Sequence, residues 1–554
     1  MKFKKVIALM LTTVLSLSAL TGCGGKDSQE SKGGNDTSSA EESSSAQDET
    51  DGSAEGSSQA EGESGGAEGE SASGTVTLPL AETMTFTAFA GMNGDYTMTD
   101  NIAMQKSLAD ANINIEFTNV LGADLDEKRN LVLNSGDYPD IFYKSNVDAA
   151  KYGLQGVMIP LEDLIRQYAP NLTALLDERD GWQYITAADG HVYSIPEIDL
   201  KGVANPAYWI NKRWMDNLGL EEPTSFEELY DVLKAFKEQD ANGNGDPNDE
   251  IPLFCNTYCN PLMLMQYQDF PYSAWEKLGI IDGKLAYVPA TEEYREFLAF
   301  VTRLYQDGLM DPNSFTQPLE QQAPTGQSGD VMGSFFDAGA FLTVGRDHDE
   351  DYIALTPWDD CLQLSSGITA NTLAITDACE HPEVVIAWAD TLYTEEGGRL
   401  AWMGVEGETY QYNDQGEWEW ITGKGHGDDI STVRASSTMQ GAQNHPSVQP
   451  EVWMTDMSSD IDPDEVYLNA QRMKLMEHGV VPLPNLVFTE EQNAELSVIK
   501  TDIDNYITEY MAKVATGETT LDDSWDEYIE TLKAMGMERM FEIYQEVYDA
   551  AIAD

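Results

Sequence analysis

The sequence predicts an α/β protein built as two lobes, with extra helices at its C-terminal end. Three observations carry this expectation. Residues 83–143 alternate between strand and helix patterns, which implies an open sheet with helices on its faces. A second strand–helix system follows a proline-marked crossing near Pro196 and Pro206, read as a hinge. From Thr489 onward the chain reads as nearly all helix.

The elements can be justified in order. Residues 83–89 alternate Thr and apolar side chains, the period of a half-buried strand. Residues 99–111 carry a helical pattern capped by Thr99 or Asp100, and residues 113–117 alternate again. Residues 125–133 are helical up to a break at Gly136, and residues 139–143 form the next strand. Ligands of such sheets sit beyond the carboxyl ends of the strands, so the loops holding Asn93 and Asn146 are candidate ligand loops. Residues 156–166 turn into a helix, and Asp189-Gly190 reads as a hairpin-type turn between short strands.

The stretch 203–252 is densely marked. An apolar strand ends near Ile210, Asn211 caps a short helix and Gly219 terminates it. Thr224 and Glu227 have capping-box spacing ahead of Phe226, Leu229, Tyr230, Leu233 and Phe236, which share one helix face. The helix runs into Asp240-Ala-Asn242-Gly-Asn244-Gly245-Asp246-Pro-Asn248-Asp249-Glu250. Oxygen side chains at alternate positions with a glycine after the third repeat the opening of an EF-hand calcium loop, although no Glu stands twelve positions in. The alternative is a polar Asn-Gly turn without metal.

Further on, a helix lies within residues 287–309 and residues 317–330 read as a loop. Residues 331–344 look like the chain returning to the first sheet, residues 368–375 like another strand of it, and residues 382–392 like a helix that returns to the second lobe. The expected division is therefore 75–200 with 325–380 as lobe 1, and 201–324 with 381–554 as lobe 2. Near the end, Tyr506, Tyr510 and Val514 share one helix face, and Ile543, Val547 and Tyr548 another.

The start of the chain reads as an export signal. Lys2, Lys4 and Lys5 precede an apolar run and then Leu20-Thr21-Gly22-Cys23, the pattern of a bacterial lipobox in which Cys23 becomes the lipidated first residue. Residues 1–23 are thus a signal peptide and residues 24–74 an acidic Ser/Gly tether without a core, spanning about 40 Å on average. The chain would be anchored to a membrane by lipid without crossing it. The formal net charge is −66, and from Thr75 onward 26 basic residues stand against 84 acidic ones, a net of −58. Such a surface excludes nucleic acid as a partner and argues against a strongly anionic ligand unless a local basic patch overrules the average. Cys255, Cys259, Cys361 and Cys379 have no zinc spacing with His and read as buried thiols whose pairing the sequence does not give.

The segments Gly136-Asp-Tyr-Pro-Asp-Ile141, Asp189-Gly-His-Val-Tyr-Ser-Ile-Pro196, Trp209-Ile-Asn-Lys-Arg-Trp214, the 240–252 loop, Leu304-Tyr-Gln-Asp-Gly-Leu309, Gly404-Val-Glu-Gly407 and Ile543-Tyr-Gln545, with the lipobox, resemble extracellular solute-binding proteins of ABC importers. The resemblance is to the carbohydrate-type family 1 and its Gram-positive lipoprotein subgroup, similar to alginate-oligosaccharide binding proteins. It implies a type II periplasmic-binding-protein-like clamshell and a monomer that delivers an oligosaccharide to membrane permease subunits. It also implies a structural Ca2+ held by Asp240, Asn242, Asn244, Asp249 and Glu250, with Asp246 giving a backbone oxygen, in a loop one residue longer than the family's.

Sugar binding needs flat apolar faces for ring C–H groups and polar groups that replace water at hydroxyls. The candidates are Trp358, Trp209, Trp402 and Tyr193, then Trp182 and Tyr208, with Asp337, Asn146 and Asn93 as polar partners. Each aromatic reads equally as core packing, and Trp418 and Trp420 alternate like a hairpin strand. An enzyme is not expected: carboxylates are too abundant for any pair to signal glycoside hydrolysis, and no nucleophile-elbow, zinc-helix or phosphate-loop motif occurs. The alternatives are a surface polysaccharide hydrolase or lyase, and a peptide-binding lipoprotein.

Overall fold

A computed structural model describes residues 75–92, 96–199, 202, 206–246, 248–441 and 444–553. The lipobox Cys23, the tether and Asn93 lie outside the described residues.

Two sheets organise these residues. The larger runs, edge to edge, Ser447–Val448, Ile195–Ile198, Ile368–Ile375, Ile141–Tyr143, Met84–Gly91, Ile113–Val120. Met84–Gly91 pairs in parallel with both of its neighbours, whereas Ile368–Ile375 is antiparallel to both of its own. The period of two is visible in the packing. Phe86, Ala88 and Ala90 enter one core with Ile141, Tyr143, Leu373 and Ile375, while Phe89, Phe142 and Ala374 enter a second core on the opposite face.

The smaller sheet is Tyr352–Ala354, Ala207–Asn211, Ser334–Asp337, all antiparallel. Here too neighbours split: Tyr208, Ile210 and Phe336 go to one core, Trp209 and Phe335 to the other. The helices Phe226–Glu238 and Glu292–Gln306 supply much of the first of these cores. The C-terminal helices Glu490–Ala515, Leu521–Ala534 and Met537–Ala553 pack into it through Ile503, Ile507, Tyr510, Val514, Tyr528 and Ile543. Tyr506 and Tyr548 lie partly buried against it.

Several local expectations hold. Asn211 accepts the Trp214 N–H and caps the helix Lys212–Leu218, which ends on Gly219 at φ 70°. Trp418–Trp420 forms a hairpin with Tyr410–Tyr412, and Ala187 N–H bonds the His191 carbonyl across the Asp189-Gly190 turn. Two caps shift by a residue or two. The helix Ile102–Ala111 is capped by Asn101, because Asp100 and Thr97 bond each other. Ser225 caps Phe226–Glu238, and Glu228 reaches back to the N–H and hydroxyl of Thr224. Residues 317–330 include a short helical turn, Gln322–Gly326.

The division into lobes departs from the expectation in three places, one of them the strand Ser447–Val448, which pairs with Ile195–Ile198 in the large sheet. Ser334–Asp337 does not return to the large sheet; it pairs with Ala207–Asn211 in the small one. The helix Pro382–Asp390 does not leave lobe 1: Val384, Val385, Ile386 and Trp388 are buried among Ile165, Leu172 and Leu176, and Trp388 Nε1 donates to Ser107 Oγ at 2.9 Å. These last two segments are short and buried along nearly their whole length, so their letters carry no information about which sheet they meet. Lobe 1 thus retains residues 368–403 and the strand Ser447–Val448, and lobe 2 takes residues 334–354. The chain passes between the lobes after Ile195–Ile198, again between Tyr352–Ala354 and Ile368–Ile375, and along the helix Pro463–Met476. In the crossings Leu362–Gln363 pairs in parallel with Gly479–Val480, and Asp199 N–H bonds the Gly367 carbonyl.

Candidate functional site

The carboxyl ends of Met84–Gly91, Ile141–Tyr143 and Ile195–Ile198 lie on one edge of the large sheet, as their registers require. Beyond Tyr143 the backbone turns through two left-handed residues, Lys144 at φ 48° and Asn146 at φ 50°. Asn146 is exposed on this edge. Lys144 is fully buried, and its ammonium donates to the Met439 carbonyl. Burial drives its pKa down to about 7, against the attraction of Glu197.

Residues 439–441 and 444–449 lie along this edge like a strap. His445 N–H donates to Glu197 Oε2 at 3.0 Å, and His445 Nδ1 stands 2.7 Å from the same oxygen. Burial pushes the imidazole's pKa below its ordinary value, against the charge and hydrogen bond of Glu197. Burial would raise Glu197, but the pull of His445 and Lys144 carries it below its ordinary value. Asp199 has no such partner: burial, then the charge of Glu197, raise it to about 8, with Arg179 opposing. Tyr143 Oη, Ser145 Oγ, Asp199 Oδ1 and His445 Nε2 are buried without a hydrogen-bond partner. Unsatisfied groups concentrated at a strand edge are costly to folding and are the groups a polar ligand or water would satisfy.

On lobe 2 the matching edge is the end of Ser334–Asp337. The Asp337 carboxylate accepts from Thr343 Oγ1 at 2.7 Å, from the Ala338 N–H at 2.7 Å and from Gln322 Nε2 at 3.2 Å. Burial nonetheless raises its pKa. A cavity of about 610 Å³ is walled by Phe341, Arg346 and Arg472 on this side and by Arg434 and Gln440 on the other. The second wall belongs to lobe 1, since Asn101 Nδ2 donates to the Ser436 and Thr438 carbonyls. A second cavity of about 480 Å³ follows the crossings, bounded by Tyr184, Ser365, Asn485 and Lys500.

Tyr258 and Trp275 are 52% and 44% exposed, and their rings lie 6.0 Å apart. Such exposure is unusual for large aromatics that touch one another. Tyr258 follows the segment that continues the small sheet beyond Phe254, whose N–H bonds Ser334 O. Trp275 neighbours a crossing, because Ala274 N–H donates to Gln363 Oε1. Neither residue stands out in the sequence; the signal that could have found Tyr258 is its place in the loop just after a strand-like run.

The aromatics expected from the sequence occupy other places. Tyr208 is a core residue whose hydroxyl bonds Ser334 Oγ. Trp209 is buried directly behind Asp337, its Nε1 donating to the Asp337 carbonyl at 2.9 Å. Trp402 backs the strap: its carbonyl accepts from Gln440 and its Nε1 donates to Ser447 Oγ. Tyr193 is buried with its hydroxyl on Asp189. Trp182 is half-buried under Arg166, 4.0 Å from its ring centroid. Trp358 packs on Phe226 and Tyr267 and bonds the Pro223 carbonyl, lining a separate groove on lobe 2. The sheet edges therefore bring Asp337, Trp209, Trp402 and Asn146 near the cleft, and leave Tyr208, Tyr193, Trp182 and Trp358 apart from it.

The 240–250 loop is braced by its own side chains. Gly245 N–H donates to Asp240 Oδ2, Asn242 Oδ1 accepts from Asn244 N–H, Asn244 Oδ1 accepts from Asp246 N–H, and Ala241 N–H donates to Glu250 Oε1. Asn242 and Asn244 amides donate to Asp249. The other oxygens of Asp240 and Glu250 are buried without partners. No three His, Cys, Asp or Glu side chains gather as a metal cluster among the described residues. Two orphaned buried carboxylate oxygens among amide and carbonyl oxygens nonetheless form a donor set that fits a hard cation. Among the described residues the four cysteines are free thiols; all but the half-buried Cys361 are buried.

Residues 99–399 match the pattern of the bacterial extracellular solute-binding protein family. The chain is 27% identical over 507 residues to the fructooligosaccharide ABC transporter substrate-binding protein FusA of Streptococcus pneumoniae serotype 4 (strain ATCC BAA-334 / TIGR4), covering 86% of this chain and 92% of that one. A solved structure of an EF-hand mutant of FusA in complex with fructo-nystose superposes with a TM-score of 0.63 at 24% identity, over 85% of this chain and 99% of that chain. The alginate-binding protein AlgQ2 without calcium ion superposes at 0.59 and 21% identity, over 86% and 100%.

Proposed function

Because the chain belongs to the bacterial extracellular solute-binding protein family, we propose that it is the substrate-binding subunit of an ABC importer and captures an oligosaccharide between its two lobes. The observation that carries this reading is the pair of opposed polar sheet edges, with an exposed aromatic pair beside the crossings. Trp275 and Tyr258 supply flat faces for sugar C–H groups, and Asp337 and Asn146 offer groups for hydroxyls. Each neutral hydrogen bond contributes about 1 kcal/mol net. A ligand makes both sets of contacts only when the lobes are closed, so binding shifts the population toward the closed form, which docks on the permease.

Three finer parts complete the proposal. The chain is a monomer tethered through a lipid on Cys23. A structural Ca2+ is held by Asp240, Asn242, Asn244, Asp249 and Glu250 with a backbone oxygen of Asp246, and staples lobe 2 away from the sugar. The bound glycan leaves unaltered, so the protein is not an enzyme.

The test is a glycan and peptide panel read by tryptophan fluorescence and X-ray scattering. Compaction with one class of oligosaccharide, and recovery of that glycan intact by chromatography, are expected. A flat response to every glycan, or compaction with peptides alone, defeats the sugar reading; released fragments defeat the non-enzymatic one. For the anchor, Cys23→Ser is expected to release the protein into the medium, and a variant that stays membrane-bound removes the lipid claim.

A further inference from the structure

Lobe 2 carries a groove of about 660 Å³ apart from the cleft. Its floor is aromatic. Phe226 and Trp358 are half-buried, with ring centroids 4.7 Å apart at 86°, and they rest on the buried rings of Phe297, Phe300 and Tyr267. Its rim is acidic: Glu227, Asp269, Asp282, Glu293, Glu296 and Asp359 line it, and no Lys, Arg or His does. Glu227 pairs with Arg303 at 2.8 Å, whereas the other five form no ion pair among the described residues. Burial first, and then the charges of Asp359, Asp269 and Asp360, raise the pKa of the nearby Cys361 thiol, so the field at this end of the groove is negative.

The five unpaired carboxylates come from four separate stretches of chain, and no three of them gather as a metal cluster among the described residues. Such a rim is too spread for one compact divalent ion and matches several cations held at intervals. Aromatic rings add to this, because their faces attract guanidinium and ammonium groups. An anionic lipid surface would be repelled. One wall belongs to a crossing, since Trp358 and Asp359 lie between Tyr352–Ala354 and Ile368–Ile375. That wall is tied to the helix Pro463–Met476: Thr356 N–H donates to Glu222 Oε1 at 2.6 Å, and Lys474 reaches the same oxygen at 3.2 Å and the Ala354 carbonyl at 3.0 Å. Resting on the importer reading above, we propose that this groove is a docking surface for a segment of the membrane permease rich in Arg and Lys. The segment's cations meet the rim carboxylates and its apolar stems cover Phe226 and Trp358. Because the wall at 356–359 follows the crossings, the surface offered to the permease differs between open and closed lobes.

The test is uptake of the glycan that compacts the chain, by cells that depend on this protein for its import. The groove variant combines Asp269→Asn, Glu293→Gln, Glu296→Gln and Asp359→Asn. A control variant loses four exposed carboxylates of the helices Leu521–Ala534 and Met537–Ala553, through Asp526→Asn, Glu527→Gln, Glu530→Gln and Glu546→Gln, and so has the same net charge. A third variant keeps the charge, with Asp269→Glu and Asp359→Glu. The groove variant is expected to keep its melting temperature and its glycan affinity by calorimetry, and to lose uptake by about tenfold or more. The control and charge-keeping variants should import as the unaltered chain does. Added salt should slow uptake by the unaltered chain more steeply than by the groove variant. Unchanged uptake by the groove variant, an equal loss in the control, or a loss explained by weaker glycan binding overturns the docking surface and leaves the importer reading standing. If the groove variant melts early, Asp359→Asn alone, at an exposed position, is read in the same way. If no glycan compacts the chain, the importer reading falls and this proposal with it.

Discussion

At the scale of single residues, exposure separates ligand-facing groups from core groups. Trp209 and Trp275 are the same chemical object, but one is 2% exposed and the other 44%. Trp275→Ala is therefore expected to weaken oligosaccharide binding by about tenfold with little change in melting temperature, by calorimetry and thermal denaturation. Trp209→Ala should instead unfold the chain at markedly lower temperature, by about 3–5 kcal/mol, because it opens a cavity behind Asp337. Asp199 provides a pH test. Its folded pKa, about 8, lies above the unfolded value, so the native state holds a proton that the unfolded chain releases. Its burial thus costs stability increasingly as pH rises from about 4 to 8, and no further above that. Asp199→Asn removes this cost, so its stability gain over the unaltered chain should grow across that window in urea titrations. A difference independent of pH would contradict the assignment.

Elements were the most legible level. A period-two pattern located the strand Met84–Gly91, and helical spacing located Phe226–Glu238 and two of the C-terminal helices, Glu490–Ala515 and Met537–Ala553. Such patterns are readable because they reflect backbone geometry within a few residues. Caps were legible only to within a residue or two, since Ser225 and Thr224, or Asn101 and Asp100, are chemically near-equivalent neighbours. Ser225→Ala is expected to cost about 1 kcal/mol by removing the acceptor for the Glu228 N–H. The same change at Thr224 removes a hydroxyl contact to Glu228 on the surface and should cost less. A chemical-denaturation comparison of the two variants decides which residue is the cap.

The whole molecule sets the role of the 240–250 loop and of the cleft. With the proposed Ca2+ in place, EGTA should lower the melting temperature and leave oligosaccharide affinity unchanged once calcium is restored. An identical melting curve with and without chelator would remove the ion from the proposal and leave the lobes untouched. The proposed cleft was partly legible. The carboxyl ends of strands pointed to Asn146, and Asp337 fell on the opposing edge. Tyr258 and Trp275 were not found, because nothing in their immediate neighbours distinguishes them from other aromatic residues.

The order of the letters settles what depends on nearby residues: the alternation of strands and helices, the turn at Gly219, the oxygen-rich loop after Phe226–Glu238, and the tryptophan hairpin. Contact between distant segments settles the rest. Ser334–Asp337 joins Ala207–Asn211 across more than a hundred residues, and Pro382–Asp390 stays with lobe 1 because Trp388 fits beside Ser107. The physical reason is that a buried apolar segment gains nearly the same free energy from any apolar partner. Shape and register choose among the partners, and those exist only once the chain has folded.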